Sequence, residues 1–245
     1  MKKLLVVTAL CFITYQSNSQ VLISLLLGDK LNSEKLEFGL QGGLNWMHLG
    51  GLDSNDYLTK FNLGFYFTFQ MKNPKYYFHT GVLVKSNEGL DHLSRADLES
   101  IGGEWQEIEG RYQQIIQSFM VPALMRRQFE DGVYVELGPQ FALRSKSYVE
   151  YTSDVDGVER NIKFDNKDLI NRIDAGVLGG FGYRFGKNRN VAIGARYYQS
   201  FVNVYKDRPN TQSRGFFLNV NYPIGVKKAK ARRETKEAEE KNLEN

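Results

Sequence analysis

Apolar and polar residues alternate along much of this chain. From Leu36 to Trp46, every second residue is large and apolar or small: Leu36, Phe38, Leu40, Gly42, Leu44, Trp46. Glu37, Gly39, Gln41, Gly43 and Asn45 lie between them. Further on, Phe61, Leu63, Phe65, Phe67 and Phe69 alternate with Asn62, Gly64, Tyr66, Thr68 and Gln70. A period of two describes a strand with one oily and one polar face. A soluble sheet shows this once or twice. A transmembrane barrel must show it in every strand, for roughly ten residues each.

The pattern recurs eight times, over 36–47, 60–71, 76–85, 115–127, 133–144, 172–185, 191–202 and 214–224. In the third stretch, Tyr76, Phe78, Thr80, Val82 and Val84 face away from Tyr77, His79, Gly81, Leu83 and Lys85. In the fourth, Phe119, Val121, Ala123 and Met125 form the apolar face, and Pro122 forfeits one ladder bond. In the last, Phe216, Leu218, Val220, Tyr222 and Ile224 point one way. The connections alternate in length, with tight turns near Lys72, Gln128 and Gly186 and longer loops between. An even strand count with short turns on one side predicts an all-β fold, an eight-stranded antiparallel up-and-down transmembrane β-barrel over 36–225. A soluble barrel would hide its apolar face inside. Glu136, Arg144, Asp174, Arg184 and Arg196 fall on the other face, and unpaired they could not line an apolar calyx.

The ends read differently. Lys2, Lys3 and the apolar run Leu4 to Tyr15, followed by Ser17 and Ser19, predict a signal peptide over 1–19. Cys11 would leave with it, so no disulfide or thiol chemistry is expected afterwards. Residues 20–35 read as an N-terminal periplasmic segment. Residues 226–245 read as a charged periplasmic tail, with seven Lys and Arg against five Glu.

Composition agrees with the barrel. The 23 glycines, 14 tyrosines and 16 phenylalanines suit tilted strands with aromatic girdles. The formal charge of +4 drops to +2 without Lys2 and Lys3, too weak and too mixed for nucleic acid. An eight-stranded barrel has an interior just wide enough for side chains. Its expected lumen network is Glu37, Gln41, Asn45, Tyr66, His79, Glu136, Gln140, Arg144, Asp174, Arg184, Arg196 and Tyr198, with charge pairs among Glu136, Asp174, Arg144, Arg184 and Arg196. Inward glycines leave room for the large members.

The two longest connections, 86–111 and 147–170, are both net negative and belong on the side opposite the short turns. Trp105, Ile108, Tyr112, Tyr148 and Tyr151 are the candidate extracellular contact residues there. No serine–histidine arrangement for acyl chemistry accompanies His48, His79 or His92, and no histidine pair has metal-ligand spacing. Asp154-Val155-Asp156-Gly157 is only a fragment of a calcium loop and reads as a turn. No catalytic residue, metal or cofactor is expected.

Gly39-Leu40-Gln41-Gly42-Gly43-Leu44-Asn45-Trp46 resembles the opening strand of the PorT-like outer-membrane β-barrel family of Bacteroidota. Val121-Pro122-Ala123-Leu124-Met125, Glu136-Leu137-Gly138-Pro139-Gln140, Asp174-Ala175-Gly176, Gly180-Phe181-Gly182-Tyr183-Arg184-Phe185 and Gly194-Ala195-Arg196-Tyr197 continue the likeness in order. It spans about residues 36–225 and departs at the acidic inserts, the N-terminal segment and the tail. The resemblance implies a porin-like barrel in the outer membrane of a Gram-negative bacterium, and a few relatives serve protein secretion. It carries over no catalytic residues.

The expected role is non-catalytic: a structural or docking barrel with a largely plugged lumen. Its partners would be outer-membrane lipids and envelope proteins at the long loops or tail. A narrow porin, a secretion-system accessory and a lipid-modifying enzyme stay open as alternatives.

Overall fold

The computed structural model describes residues 31–33, 35–155, 157–185, 191–225 and 235. The expected signal peptide, the tail apart from Thr235, most of the N-terminal segment, Asp156 and the turn at 186–190 lie outside the described residues.

Among the described residues nine strands follow in chain order: β1 (Leu36–Leu49), β2 (Leu58–Gln70), β3 (Tyr76–Leu90), β4 (Arg111–Gln128), β5 (Val133–Val155), β6 (Val158–Asp165), β7 (Ile173–Phe185), β8 (Val191–Asn203) and β9 (Gln212–Pro223). A short helix α1 (Arg95–Ser100) sits between β3 and β4, and a 3-10 turn, Lys167–Leu169, precedes β7. All pairings between strands are antiparallel. The sheet runs β4-β3-β2-β1-β9-β8-β7-β5-β6, and a further β4–β5 pairing closes it. Eight strands therefore form the ring. β6 stands outside it and, among the described residues, pairs only with the distal part of β5.

The ring is inside-out relative to a soluble barrel. Val135, Leu137, Phe141 and Leu143 on β5 are exposed, as are Ile173, Phe181 and Phe185 on β7 and Phe216, Leu218, Val220 and Tyr222 on β9. Between them, Glu136, Gln140 and Arg144 are buried. Val135 to Leu143 covers about 27 Å of strand, enough for the apolar band of a tilted barrel. On the β2 face, Phe67 packs on Phe38 across the β1–β2 ladder, ring centroids 4.9 Å apart.

Two one-residue bulges, on β3 and β5, break strict alternation, and β8 carries a further two-residue irregularity against β9 between Gln199 and Asn203. Against both β2 and β4, β3 carries one extra residue between Leu83 and Ser86. Against β4, β5 carries one extra residue, Ser145. An unpaired residue flips the facing of everything beyond it. Beyond the first bulge, Lys85 turns out to solvent and Ser86 and Glu88 turn in. Beyond the second, Lys146 turns out while Ser147, Val149 and Tyr151 turn in.

Several expectations need correction. Lys85 does not face the lumen, because the β3 bulge precedes it. The two inserts are not loops: β3, β4 and β5 run on into them, the first holds α1, and the second folds back as β6. Ile224 is buried, not outward. It lies past the end of β9, and its backbone bonds to Phe38 and to the Asn32 side chain.

Candidate functional site

The interior is layered. The inward faces of β1, β2, β3, β4, β5, β7 and β8 supply one layer near the short turns. Glu136 on β5 accepts from Arg126 on β4 at 2.8 and 3.0 Å, and from Arg196 on β8 at 2.5 Å. Arg196 also contacts His79 Nε2 at 3.1 Å, and His79 Nδ1 lies 2.9 Å from the Thr68 hydroxyl. A guanidinium can only donate, so Nε2 is the acceptor and the proton sits on Nδ1. The neutral ring thus bridges Arg196 to Thr68. Arg126 also lies over the Tyr134 ring at 4.1 Å. Glu37 is held by the Tyr66 hydroxyl at 2.9 Å and by Arg184.

The sequence supports this layer locally. Tyr134 lies flat over β7 and β8 because Gly182 and Gly194 stand beneath it. A Cβ on either would fall 2.3–2.4 Å from its hydroxyl oxygen. Tyr66 crosses Gly39, its cross-strand partner, in the same way.

Above this layer lies an apolar one. Met47, Leu83, Met120, Leu124, Ala142, Leu178, Tyr198 and Phe217 form a buried cluster inside the ring. Gln140 joins its edge, donating to Met120 Sδ at 3.7 Å.

A second charged layer follows. Arg144 on β5 donates to Glu88 at 3.0 Å and lies 3.1 Å from Asp174 on β7. Glu88 also accepts from Ser118 at 2.7 Å. Asp174 accepts from Tyr198 at 2.7 Å and from Ser200 at 2.5 Å. All three charged side chains are fully buried. Such charges survive only when paired and hydrogen-bonded.

The long connections close over this end as a cap with its own core. Leu49, Leu90, Leu93, Leu98, Ile101, Tyr112, Ile116, Val149, Tyr151, Ile170, Val204 and Tyr205 are buried together. Polar ties fix it. Asn166 donates to Ile101 O and to Gln114, each at 2.8 Å, and accepts from Ser147 at 2.6 Å. Asp97, in α1, accepts from the Asp53 and Ser54 backbone at 2.8 and 3.0 Å. Outside the ring, Arg111 binds the Asp91 carboxylate with two nitrogens. Burial opposes ionisation of Asp91, but the hydrogen bonds from Arg111, Gln113 and His92 outweigh it and hold its pKa below the usual carboxylate value.

The expected lumen residues all point into the ring, and the structure sorts them. Glu37, Tyr66, His79, Glu136, Arg184 and Arg196 meet in the first charged layer, and Arg144, Asp174 and Tyr198 in the second. Gln41, Asn45 and Gln140 are buried but join no ion pair. Arg184 pairs with Glu37 and not with the carboxylates expected for it. Two central residues escape sequence reasoning. Arg126 has the right parity on the fourth stretch, opposite Met125, and that signal was available. Glu88 sits past the bulge, in what reads as a loop.

The expected extracellular contacts also divide. Trp105 and Ile108 are exposed. Tyr112 and Tyr151 are not: they are buried against each other, ring centroids 4.9 Å apart, and Trp105 stacks on Tyr112 at 5.3 Å. Their hydroxyls bond to backbone, Tyr112 accepting from Gln106 N and Tyr151 donating to Ile108 O. They hold the cap together, because the Ser145 bulge turns Tyr151 inward. Tyr148 is half-buried, with Lys163 Nζ 4.9 Å from its ring.

Residues 15–206 match the family model described as "Outer membrane protein beta-barrel domain". Among curated proteins, none matches. Solved structures that resemble the chain include neisserial surface protein A, 14% identical, with 77% of this chain and 99% of that one covered at a TM-score of 0.43. Another is Ail, the attachment invasion locus protein of Yersinia pestis, in complex with the heparin analogue sucrose octasulfate. It is 13% identical, covering 78% and 99% at 0.39. OprG from Pseudomonas aeruginosa is 12% identical, covering 77% and 91% at 0.34.

Proposed function

This chain belongs to the outer-membrane protein β-barrel family, and from that premise we propose that it is a closed, non-catalytic barrel whose capped end docks other envelope proteins. The observation that carries this reading is the interior. An apolar layer separates two buried ion-pair layers, and the cap core covers the last of them. A hydrated ion crossing the ring would have to break buried pairs and then cross a hydrophobic constriction. Within the family, the strand motifs resemble PorT-like barrels, which favours a role as an accessory that other proteins assemble on. The leader directs the chain to the envelope, the short turns and tail face the periplasm, and the cap faces out.

Two measurements test this. In planar bilayers the purified protein is expected to give no stable conductance steps, and regular single-channel currents would establish a narrow porin instead. In mild detergent the intact barrel is expected to retain a partner that a variant with 91–110 shortened loses. Purification of both forms alone would refute the docking role.

A further inference from the structure

Among the described residues, every strand of the ring is paired along both edges, but β6 is not. The sheet order ends on it, and among those residues its only strand neighbour is β5. No other segment among the described residues is bonded by its backbone to 158–165. Val158, Glu159, Asn161, Ile162 and Lys163 are exposed. An open edge of this kind is a template for another strand.

The sequence of the edge selects the occupant. In a two-fold antiparallel pairing, residues i and j of the two copies face each other with i+j constant. That sum must be even, because only residues of one parity turn their backbone groups to the outer edge. Centring on Glu159, Arg160 or Lys163 sets that charge against itself. Centring on Ile162 sets Glu159 against Asp165 of the second copy, twice. Centring on Asn161 opposes Glu159 to Lys163, Val158 to Phe164 and Arg160 to Ile162, each twice, with no like charges opposed. Opposed unlike charges and an aromatic beside a β-branched residue favour a cross-strand pair, and like charges oppose it.

We propose that β6 pairs antiparallel with β6 of a second copy of this chain, in the register centred on Asn161, and that this joins two barrels cap to cap. The orientation follows from direction. β6 runs from the hairpin tip back toward the ring, so its antiparallel partner runs the opposite way. β6 pairs along the distal part of β5, which is one unbroken strand continuous with the ring, and barrel strands tilt by about 35–45°, so β6 keeps a component along the barrel axis. Two copies in one membrane share that axis direction and cannot present antiparallel β6 strands. The second copy therefore sits in a facing membrane. The hairpin has the reach: Leu143 is the last β5 residue paired to β7, and the strand continues about 40 Å beyond it to Val155.

This inference deepens the docking reading by naming the partner of the capped end, and it rests on that reading for the outward placement of the cap. Cross-linking in detergent tests the pairing without it. In full-length protein carrying Cys11→Ala, Asn161→Cys is expected to oxidise to a disulfide dimer. Glu159→Cys alone is not, whereas a mixture of Glu159→Cys and Lys163→Cys proteins cross-links. Lys163→Glu is expected to abolish the dimer, and adding Glu159→Lys to restore it. Proteoliposomes with caps outward should cluster with the same dependence on these substitutions. A monomeric Asn161→Cys protein, or self-linking of Glu159→Cys as complete as that of Asn161→Cys, overturns the register. A detergent dimer whose proteoliposomes stay dispersed overturns the cap-to-cap placement. Failure of the cross-link leaves the docking reading to its own test, the retained partner.

Discussion

Arg144 on β5 donates to the carboxylate of Glu88 on β3 at 3.0 Å, with both side chains wholly removed from solvent. The two lie 56 residues apart and meet because a bulge in β3 turns Glu88 inward.

Removing this cation leaves two buried carboxylates, Glu88 and Asp174, without their charge partner. Arg144→Met is expected to lower stability by about 3–5 kcal/mol. Glu88→Met in the same chain should recover part of that loss, because Asp174 keeps its bonds from Tyr198 and Ser200. Urea unfolding in lipid vesicles, followed by the gel shift between folded and boiled protein, reads both.

The space beneath Tyr134 is set by Gly182. Gly182→Ala places a methyl 2.3 Å from the Tyr134 hydroxyl oxygen and 2.4 Å from the Ile193 carbonyl oxygen, so removing Tyr134 relieves only part of the clash. Overpacking of this kind costs about 1–3 kcal/mol. Tyr134→Ala alone also destabilises, through the lost contact with Arg126. The double variant should lose less than the two singles together, and strict additivity would show that the residues do not compete for the space.

Acid should loosen the cap through Asp91. Its pKa is depressed in the folded protein. The stability it contributes is therefore present above the unfolded carboxylate value and is lost as pH falls through the folded one. The window lies below pH 3.8. Fluorescence of Trp105, exposed on the cap and stacked on the buried Tyr112, should change there. Asp91→Asn should lower stability at neutral pH and flatten that acid step, and an unchanged step would assign it to another group.

The Ser145 bulge sets which tyrosines the cap contains. Deleting Ser145 should restore alternation and turn Tyr151 and Val149 out of the core. Limited proteolysis should then cut within 91–110, while the ring stays intact. Equal resistance in both proteins would place the phase change elsewhere.

The ring was legible because membrane strands repeat one simple rule. Phe181 and Arg184 reveal their faces by parity alone, and so does Glu136. The ion pairs were only half legible. Periodicity gives the facing of Arg184 but not the strand across the lumen that meets it, which depends on shear and closure. The cap was not legible at all. On β3 and β5 its residues follow period two only after the bulges at 83–86 and at Ser145, and a single extra residue has no compositional signature. Tyr151 therefore reads as an exposed anchor when it is core, whereas Tyr112 keeps the parity of Arg126 but lies before the stretch that reads as a strand.

The cap core and the lipid-facing belt answer to different solvents. Leu98, Ile116 and Val149 are driven together by water, whereas Leu137, Phe181 and Phe216 are satisfied only by acyl chains. Urea acts on the first set and detergent exchange on the second. One continuous chain thus carries two separable stabilities, joined where Arg144 meets Glu88, so a single melting temperature would describe neither.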